Sequence, residues 1–293
     1  MQKNVLVIGG AGFIGNAVAK ELLMRGYNVS IFDINDNFEN DSRIKFIKGD
    51  ILDFNAVSDA IKDKAIVYNF AGIVDLEIAN QQPYNTLKTN VLGNLNILEA
   101  CKNHKVERYI FASTIYVYSD KGAFYRCSKQ MSELMIETYS KKFELKYTIL
   151  RYGSVYGPNA QKNNWINDVL EQALKNKKII RYGDGNELRE YIHIYDAARA
   201  SVDILDEKFD NENVILTGNT AIKIKDLLFM IKEMFNNEIE IEYLPGNYEE
   251  HYEITPYTFK PKLGKKYLIN PHIDLGQGLL DLLYKMKKNK NLE

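Results

Sequence analysis

The sequence predicts a doubly wound α/β fold, in which helices cover both faces of a parallel β-sheet. Short apolar runs rich in β-branched residues alternate along the chain with segments of helical periodicity, which is typical of right-handed βαβ units. The first such run, residues 5–8, leads directly into a glycine-rich turn and then into a helical pattern. With 293 residues, the chain is long enough for one large domain or a domain and a half.

The glycines after the first strand predict a turn that binds a phosphate group. Gly9 permits the tight turn, Gly12 lets a pyrophosphate approach the backbone, and Gly15 lets the following helix lie close to the strand. Phe13 and Ile14 begin that helix, whose N-terminal amides are suited to an anion. A glycine pattern alone is a weak signal, because glycine turns are common, so its setting has to support it.

The second predicted strand, residues 28–33, supplies that setting. It ends in Asp33, about 20 residues beyond the glycines, where a dinucleotide site has a carboxylate that accepts hydrogen bonds from ribose hydroxyls. The carboxylate would repel a 2′-phosphate, and no arginine follows it directly, so Asp33 favours NAD over NADP. The alternative is that Asp33 only initiates a turn.

Further strands and helices continue the alternation. Asp53 is expected to cap the helix that follows it, and the small residues of the segment Phe70, Ala71 and Gly72 are expected to let the backbone pass close to the cofactor. Strands are predicted at 44–48, 65–70, 108–113, 147–150 and 214–216, and helices at 54–62, 85–104, 124–143, about 223–236 and 275–288.

Composition and charge exclude several classes of function. A formal net charge of −1 gives no basic field for a nucleic acid or an anionic membrane, and no run of 18 apolar residues is present to span a bilayer. The four histidines are far apart and form no cluster with cysteine, which makes a metal site unlikely on sequence grounds. Two cysteines and an N-terminus without a secretory signal favour a cytoplasmic protein.

Tyr125 and Lys129 form the strongest candidate for a catalytic pair. Four residues apart, they lie on one face of a predicted helix, where the ammonium group would favour the phenolate and lower the pKa of the tyrosine. A general base for a sugar or alcohol hydroxyl needs such a shift. Tyr84 and Lys88 have the same spacing, but only the first pair follows the fifth strand, whose carboxyl end is where such folds bind ligands.

These motifs together resemble those of extended short-chain dehydrogenases/reductases, specifically the NAD-dependent nucleotide-sugar epimerase and dehydratase family. The resemblance covers nearly the whole chain. It rests on the segments 9–15 with Asp33, 49–53, 90–94, 111–118, Tyr125 with Lys129, 151–158, 183–185 and 189–193.

For catalysis and cofactor binding, the resemblance implies specific roles. Thr114 fills the serine/threonine position of the catalytic triad, Tyr125 is the base, and Lys129 also holds the nicotinamide ribose. The resemblance implies NAD as the cofactor. The residues implied to bind it are Gly9, Gly12, Phe13, Ile14, Gly15, Asp33, Asp50, Ile51, Phe70, Ala71, Gly72, Asn90, Tyr125 and Lys129, with Asp50 at the adenine.

For the substrate, the resemblance implies a nucleotide-diphosphate sugar. Thr114 and Tyr125 would contact it, Ser154 stands where many relatives have an asparagine that contacts the sugar nucleotide, and Arg189 would pair with the diphosphate. Arg151 has two readings, a second diphosphate ligand or a structural ion-pair partner.

The two residues after Thr114 reduce the number of reactions that the resemblance allows. The 4,6-dehydratases of the family have Asp-Glu there, whereas this chain has Ile115 and Tyr116, which disfavours a dehydratase. Oxidation at one sugar carbon, C4, remains: a 4-epimerase, a net 4-dehydrogenase or, alternatively, a 4-ketoreductase. The short loop before Tyr125 and the departure at Ser154 suggest an unusual sugar such as a heptose. A further alternative is an NAD-binding regulator without turnover.

The chain is expected to divide into two regions. Residues 1–155 with about 191–218 would form a Rossmann-type NAD-binding domain, and about 156–190 with 219–293 a smaller C-terminal substrate-binding region. By the same resemblance, helices 85–104 and 125–143 would pair in a homodimer, the alternative being that they only cover the sheet.

Overall fold

A computed structural model describes residues 3–36, 41–160, 164–246, 253, 256, 265–267 and 269–289. Its strands, in chain order, are β1 (Asn4–Ile8), β2 (Asn28–Asp33), β3 (Lys45–Lys48), β4 (Ile66–Asn69), β5 (Arg108–Thr114), β6 (Tyr147–Tyr152), β7 (Ser154–Tyr156), β8 (Lys178–Tyr182), β9 (Leu188–His193), β10 (Glu212–Leu216), β11 (Ala221–Lys223), β12 (Glu240–Leu244) and β13 (Lys265–Lys266).

Helices alternate with these strands over most of the described chain. They are α1 (Phe13–Met24), α2 (Phe54–Ile61), α3 (Leu76–Gln81), α4 (Pro83–Leu87), a π-helical turn (Lys88–Leu92), α5 (Gly93–Asn103), α6 (Ala123–Phe143), α7 (Trp165–Asn176), α8 (Ile194–Asp203), α9 (Ile224–Met234) and α10 (Leu275–Asn289). Two short 3₁₀ turns cover Ile115–Tyr118 and Glu207–Phe209.

The central sheet has the predicted doubly wound α/β form. Its strands run in the order β3-β2-β1-β4-β5-β6-β10-β13, all neighbours are parallel, and the outermost strand, β13, has only two residues. The chain winds outward in one direction from β1 and in the other from β4. Because the connections diverge at that point, a crevice opens beyond the carboxyl ends of β1 and β4, where the glycine turn lies.

Alternate side chains of β1 enter two different apolar clusters. Val5 and Val7 are buried with Val18 on one face of the sheet, and Leu6 and Ile8 are buried on the other face. This is why the strand has no polar residue from Val5 to Ile8: both of its faces are covered by helices. A third cluster lies outside this sheet and is built mainly from α7, β8, α9 and α10.

The predicted elements of the first half are mostly confirmed, with one correction. β2 has the predicted limits 28–33, and Asp53 caps α2 by accepting hydrogen bonds from the backbone N–H groups of Asn55 and Ala56. The single helix predicted over 85–104 is instead α4, the π-helical turn and α5 in succession, with the short α3 before them. A period of 3.6 residues does not distinguish an α-helix from one that contains a single wider turn.

Beyond β6 the structure contains elements that were not predicted. Between residues 154 and 203 lie β7, α7, β8, β9 and α8. With β11 and β12 from further along the chain, these strands form two small sheets: β11-β9-β7, which is mixed, and β12-β8, which is parallel. The division into an NAD-binding domain and a substrate-binding region stays a prediction, and part of its second range, such as 257–264 and 290–293, lies outside the described residues.

Candidate active site

A cavity of about 1140 Å³ extends along the carboxyl edge of the central sheet. At one end lies the glycine turn after β1, and at the other end lie side chains from α7, β8 and β9. The sequence-predicted residues that line it are Gly9, Gly12, Phe13, Ile14, Gly15, Asp33, Asp50, Ile51, Phe70, Ala71, Gly72, Thr114, Tyr125, Lys129, Ser154 and Arg189. The structure therefore brings all the predicted site residues except Asn90 to one surface, while their individual roles stay predictions.

The glycine turn leaves no space for side chains. A Cβ added at Gly9, whose φ is +75°, would lie 2.4 Å from the backbone N of Ala71, and one at Gly15 would lie 2.3 Å from the carbonyl oxygen of Gly9. Gly12 is the N-cap of α1 and offers no side chain to cap the first amides of that helix. The result is a cradle formed by backbone, which fits the pyrophosphate of a dinucleotide such as NAD.

Asp33 connects the end of β2 to this cradle. One carboxylate oxygen accepts a hydrogen bond from the backbone N of Ala11 at 3.0 Å, and the other accepts from the backbone N of Asn35, also at 3.0 Å. A carboxylate has about four acceptor positions, so capacity remains for ribose hydroxyls. Asp50 lies further along the same edge, exposed at the cavity, with one oxygen held by the backbone N of Leu52.

Asn90 lies behind the cavity wall. In the π-helical turn, its side-chain oxygen accepts a hydrogen bond from the backbone N of Ile73 at 2.7 Å, and its amide group donates to the carbonyl of Ile73 and to the hydroxyl of Ser128, both at 2.9 Å. It therefore fixes the segment after Gly72 to α6. In this structure it supports the wall next to the predicted cofactor site and does not line the cavity.

Thr114 and Tyr125 meet at the centre of the cavity. Thr114 ends β5, where its hydroxyl accepts a hydrogen bond from the backbone N of Tyr116 at 3.2 Å, and Tyr125 lies in the first turn of α6. Tyr125 keeps part of its surface open to the cavity, yet burial raises its pKa to about 12 against the opposing effect of a hydrogen bond from Thr114. The two hydroxyls are close enough to share one substrate oxygen.

Lys129 is placed one turn further along α6. Its Nζ donates to the carbonyl of Ala112 at 2.8 Å and lies 5.8 Å from the centre of the Tyr125 ring. Burial lowers the pKa of Lys129 to about 8, against the field of Glu133, which raises it. The pKa of Tyr125 is therefore raised in this structure and not lowered as expected, because burial of the phenol outweighs the hydrogen bond from Thr114.

The Ile115–Tyr116 pair gives the cavity an aromatic wall beside Tyr125. The ring of Tyr116 stands edge-on to that of Tyr125, with 6.3 Å between centres and an interplanar angle of 74°. A Cβ at Gly122, whose φ is +87°, would lie 2.7 Å from the Tyr116 ring, so the short loop before α6 closes tightly against it. An aromatic side chain therefore occupies the position at which the dehydratases have a glutamate.

We call the end of the cavity that holds Arg189, a predicted ligand of the nucleotide sugar, the sugar end. Most of its side chains were not predicted as site residues. Trp165 and Tyr191 stack with 6.3 Å between ring centres and 20° between planes, and the guanidinium group of Arg181 lies 5.6 Å from the Trp165 ring centre while paired with Glu187. Arg189 lies beside them and donates to the carbonyl of Leu188 at 3.0 Å. The sequence does contain one indication of this wall: Trp165, the one tryptophan in the chain, directly follows a polar loop.

Arg151 has the structural role that was one of its two readings. It is 2% exposed, and its Nε and Nη2 donate to the two carboxylate oxygens of Glu133 at 3.0 and 2.7 Å. It does not line the cavity.

Among the described residues, no group of three or more histidine, cysteine, aspartate or glutamate side chains is arranged to hold a metal ion. Within the same part of the chain, no helix is long and apolar enough to cross a membrane.

Comparison with known proteins gives one matching family model, described as the NAD dependent epimerase/dehydratase family, over residues 5–217. The chain is 28% identical to the UDP-N-acetyl-alpha-D-glucosaminuronate decarboxylase of Bacillus cytotoxicus, with 99% of this chain and 100% of the relative covered. It is 29% identical to a putative UDP-glucose 4-epimerase of Methanocaldococcus jannaschii, with 97% and 99% covered. The crystal structure of the UDP-glucose 4-epimerase of Thermotoga maritima with UDP-glucose is similar at a TM-score of 0.87 and 25% identity, covering 98% and 99% of the two chains.

Proposed function

The chain belongs to the NAD-dependent epimerase/dehydratase family of nucleotide-sugar enzymes, and from that premise we propose that it oxidises a UDP-linked sugar at C4. The single observation that carries the proposal is the meeting of Thr114, Tyr125 and Lys129 in one cavity with the glycine cradle. The choice of UDP follows the three relatives described above, each of which is named for a UDP-linked sugar or contains one. None of them is named for a heptose, so that alternative gains no support.

In the proposed reaction, Tyr125 accepts the proton of the sugar hydroxyl as the C–H bond of the same carbon breaks. Bound NAD supplies the hydride acceptor and can return the hydride. Thr114 orients the reacting oxygen by hydrogen bonding. The positive charge of Lys129 stabilises the phenolate form of Tyr125, which is the form that accepts the proton and becomes the neutral phenol. These three roles match the sequence-based assignment and need no carboxylate in the position of Tyr116.

Return of the hydride to the opposite face of the sugar would make the enzyme a 4-epimerase. Release of NADH and a 4-keto sugar would make it a net 4-dehydrogenase, and the reverse direction a 4-ketoreductase. If the sugar is a uronic acid, its 4-ketone is a β-keto acid, which loses carbon dioxide readily. The aromatic wall at Tyr116 supports all of these over elimination of water, because it supplies no carboxylate base beside Tyr125.

The first experiment is to add UDP-glucose and a UDP-linked N-acetylglucosaminuronic acid separately to the purified protein, following NADH absorbance and identifying products by mass spectrometry and NMR. A product of unchanged mass without lasting NADH indicates epimerisation, and NADH with a product two hydrogens lighter indicates net oxidation. Loss of carbon dioxide indicates a decarboxylase. No turnover with a panel of UDP sugars, in either direction, would contradict the proposal and favour the non-catalytic NAD-binding protein.

The role of Tyr125 is tested by Tyr125→Phe. Removing the phenol oxygen is expected to lower kcat by a factor of about 10² to 10⁴, since a general base is lost, while NAD affinity stays nearly unchanged. The matched control is Tyr84→Phe, which alters a tyrosine with the same spacing to a lysine but 76% exposed on α4. Equal kcat values for both variants would remove Tyr125 from the mechanism.

A further inference from the structure

A buried ion pair lies behind the part of the cavity wall formed by Thr114, Tyr125 and Lys129. Glu133 of α6 and Arg151 of β6 are joined by two hydrogen bonds of 3.0 and 2.7 Å, and the two residues are 6% and 2% exposed. Ser113, the residue before Thr114, donates to the same carboxylate at 2.5 Å. Arg151 also donates to the hydroxyl of Tyr118 and lies 4.7 Å from the centre of that ring. Glu133 is therefore held rigidly by three donors.

The Glu133 carboxylate lies where its negative charge can act on the charge state of Lys129. Glu133 follows Lys129 by four residues on α6, so the two side chains lie on the same face of the helix. Lys129 is 2% exposed, and burial disfavours its charged form. A fixed negative charge one helical turn away counteracts that effect.

The other groups around Lys129 supply little countercharge. On its own helix the neighbour is the neutral phenol of Tyr125, and from β5 come the carbonyl of Ala112 and the ring of Phe111, 4.8 Å from Nζ. Behind Glu133, β6 contributes Arg151, which donates to that carboxylate, and the 3₁₀ turn contributes Tyr118, whose hydroxyl accepts from Arg151. Asn90, which reaches α6 from the π-helical turn through Ser128, is neutral, and Lys88 of that turn is exposed.

A second ion pair, partly buried, provides an internal comparison. Arg108, at the opposite end of β5, pairs with Asp210 and is bound to the hydroxyl of Thr148 on β6. It connects the same two strands far from the cavity, without any catalytic candidate beside it. Replacing buried ion pairs by neutral residues is often without cost in stability, so stability alone does not explain why a pair lies next to Lys129.

We propose that Glu133 is a positioning residue that keeps Lys129 protonated, and that Arg151 holds the Glu133 carboxylate in place for this purpose. The inference rests on the proposed role of Lys129, which must be a cation to stabilise the phenolate of Tyr125. Glu133 does not line the cavity and contacts no substrate.

The test measures the protonation of Lys129 directly, without sugar substrate. The rate of reductive methylation of Lys129 is followed by peptide mass spectrometry across pH, because only the neutral amine reacts. In the unsubstituted protein the midpoint is expected near pH 8. In Glu133→Gln it is expected to fall by about one pH unit or more, and the alkaline limb of the kcat profile should move in the same direction.

Two further variants complete the experiment. Asp210→Asn breaks the remote pair and is expected to lower stability while leaving the Lys129 midpoint unchanged. If Glu133→Gln does not fold, the double variant Glu133→Gln with Arg151→Met removes both buried charges and should still lower the midpoint, by less than the single variant. An unchanged midpoint in the folded variant would overturn the proposal, even if kcat falls. Because methylation needs no substrate, this outcome is distinguishable from failure of the proposed reaction.

Discussion

The two ends of the cavity are built from different parts of the polypeptide. At the cofactor end the walls are backbone: a Cβ at Gly9 or Gly15 would come within 2.4 Å of main-chain atoms. At the sugar end the walls are side chains, principally Trp165, Tyr191 and Arg189, which extend from separate elements. Walls of backbone cannot be altered without altering the fold, whereas walls of side chains can be exchanged residue by residue. Under the proposed function, this difference assigns cofactor binding to the backbone of the fold and the choice of sugar to exchangeable side chains.

The largest effect is expected at the backbone end, from Gly15→Ala. The added methyl group would lie 2.3 Å from the carbonyl oxygen of Gly9, so α1 must move away from the turn. We expect NAD binding to be lost in calorimetric titration and the free energy of unfolding to fall by about 1–3 kcal/mol. Gly276→Ala is the control, since its Cβ would meet only a carboxylate oxygen of Asp274 at 3.1 Å. Retained NAD binding in Gly15→Ala would contradict a cradle made of backbone.

A smaller and more selective effect is expected at the side-chain end, from Arg189→Ala. Loss of charge-assisted hydrogen bonds to a diphosphate, about 1.5–3 kcal/mol, predicts a KM for the nucleotide sugar raised about 10- to 100-fold. NAD affinity should not change. Arg25→Ala, which removes an arginine paired with Glu21 and Asp203 on the surface, should leave both constants unchanged. If Arg189→Ala weakened NAD and sugar equally, the two ends would not be independent.

Asp33 differs from the glycines of the cofactor end, because it contributes a side chain. Asp33→Asn retains an acceptor for the backbone N of Ala11 but removes the charge that repels a 2′-phosphate. The ratio of NAD to NADP affinity is expected to fall about tenfold, equivalent to about 1.4 kcal/mol. Asp36→Asn, three residues further and paired with Lys48 on the surface, is the control. An unchanged ratio would mean that backbone alone selects the cofactor.

The smallest effect on ligand binding at either end of the cavity is expected from exposed apolar side chains of α6 and the π-helical turn, where the predicted homodimer would form. Leu134, Met131 and Leu92 are exposed by 58%, 41% and 51%. Leu134→Glu should convert a dimer to a monomer in sedimentation velocity, with little change in KM for either ligand. Leu280→Glu, which alters a comparably exposed leucine on α10, should leave the sedimentation coefficient as it was. A monomer in the unsubstituted protein would show that these helices serve only to cover the sheet.

The backbone end could be predicted from the sequence because its signals are local. A β-branched run, three glycines and an aspartate after the next strand lie within residues 5–33, and β2 has its predicted limits. The same holds for the Asp53 cap. Where a function depends on the conformation of a short segment, the residue types in that segment report it directly.

The side-chain end was harder, for two physical reasons. Two of its strands, β7 and β11, have only three residues each. Such short strands give almost no periodic signal in the sequence. Pairings between distant residues also cannot be inferred from spacing, as for Arg151 and Glu133, 18 residues apart on different elements. α7 is different, because its buried positions 166, 169, 170 and 173 do have helical spacing and could have been predicted.

The pairing of β8 with β12 has a practical consequence for exchanging substrate specificity between relatives. Residues 178–182 and 240–244 form one sheet, although the chain returns through α8 and β10 to the central sheet between them. A chimera that transplants only residues 156–190 would carry β8 without its partner β12. The transplanted β8 would then have to pair with the β12 of the other protein. Both segments must be transplanted together, so recombination at a single crossover cannot exchange the sugar end as a unit.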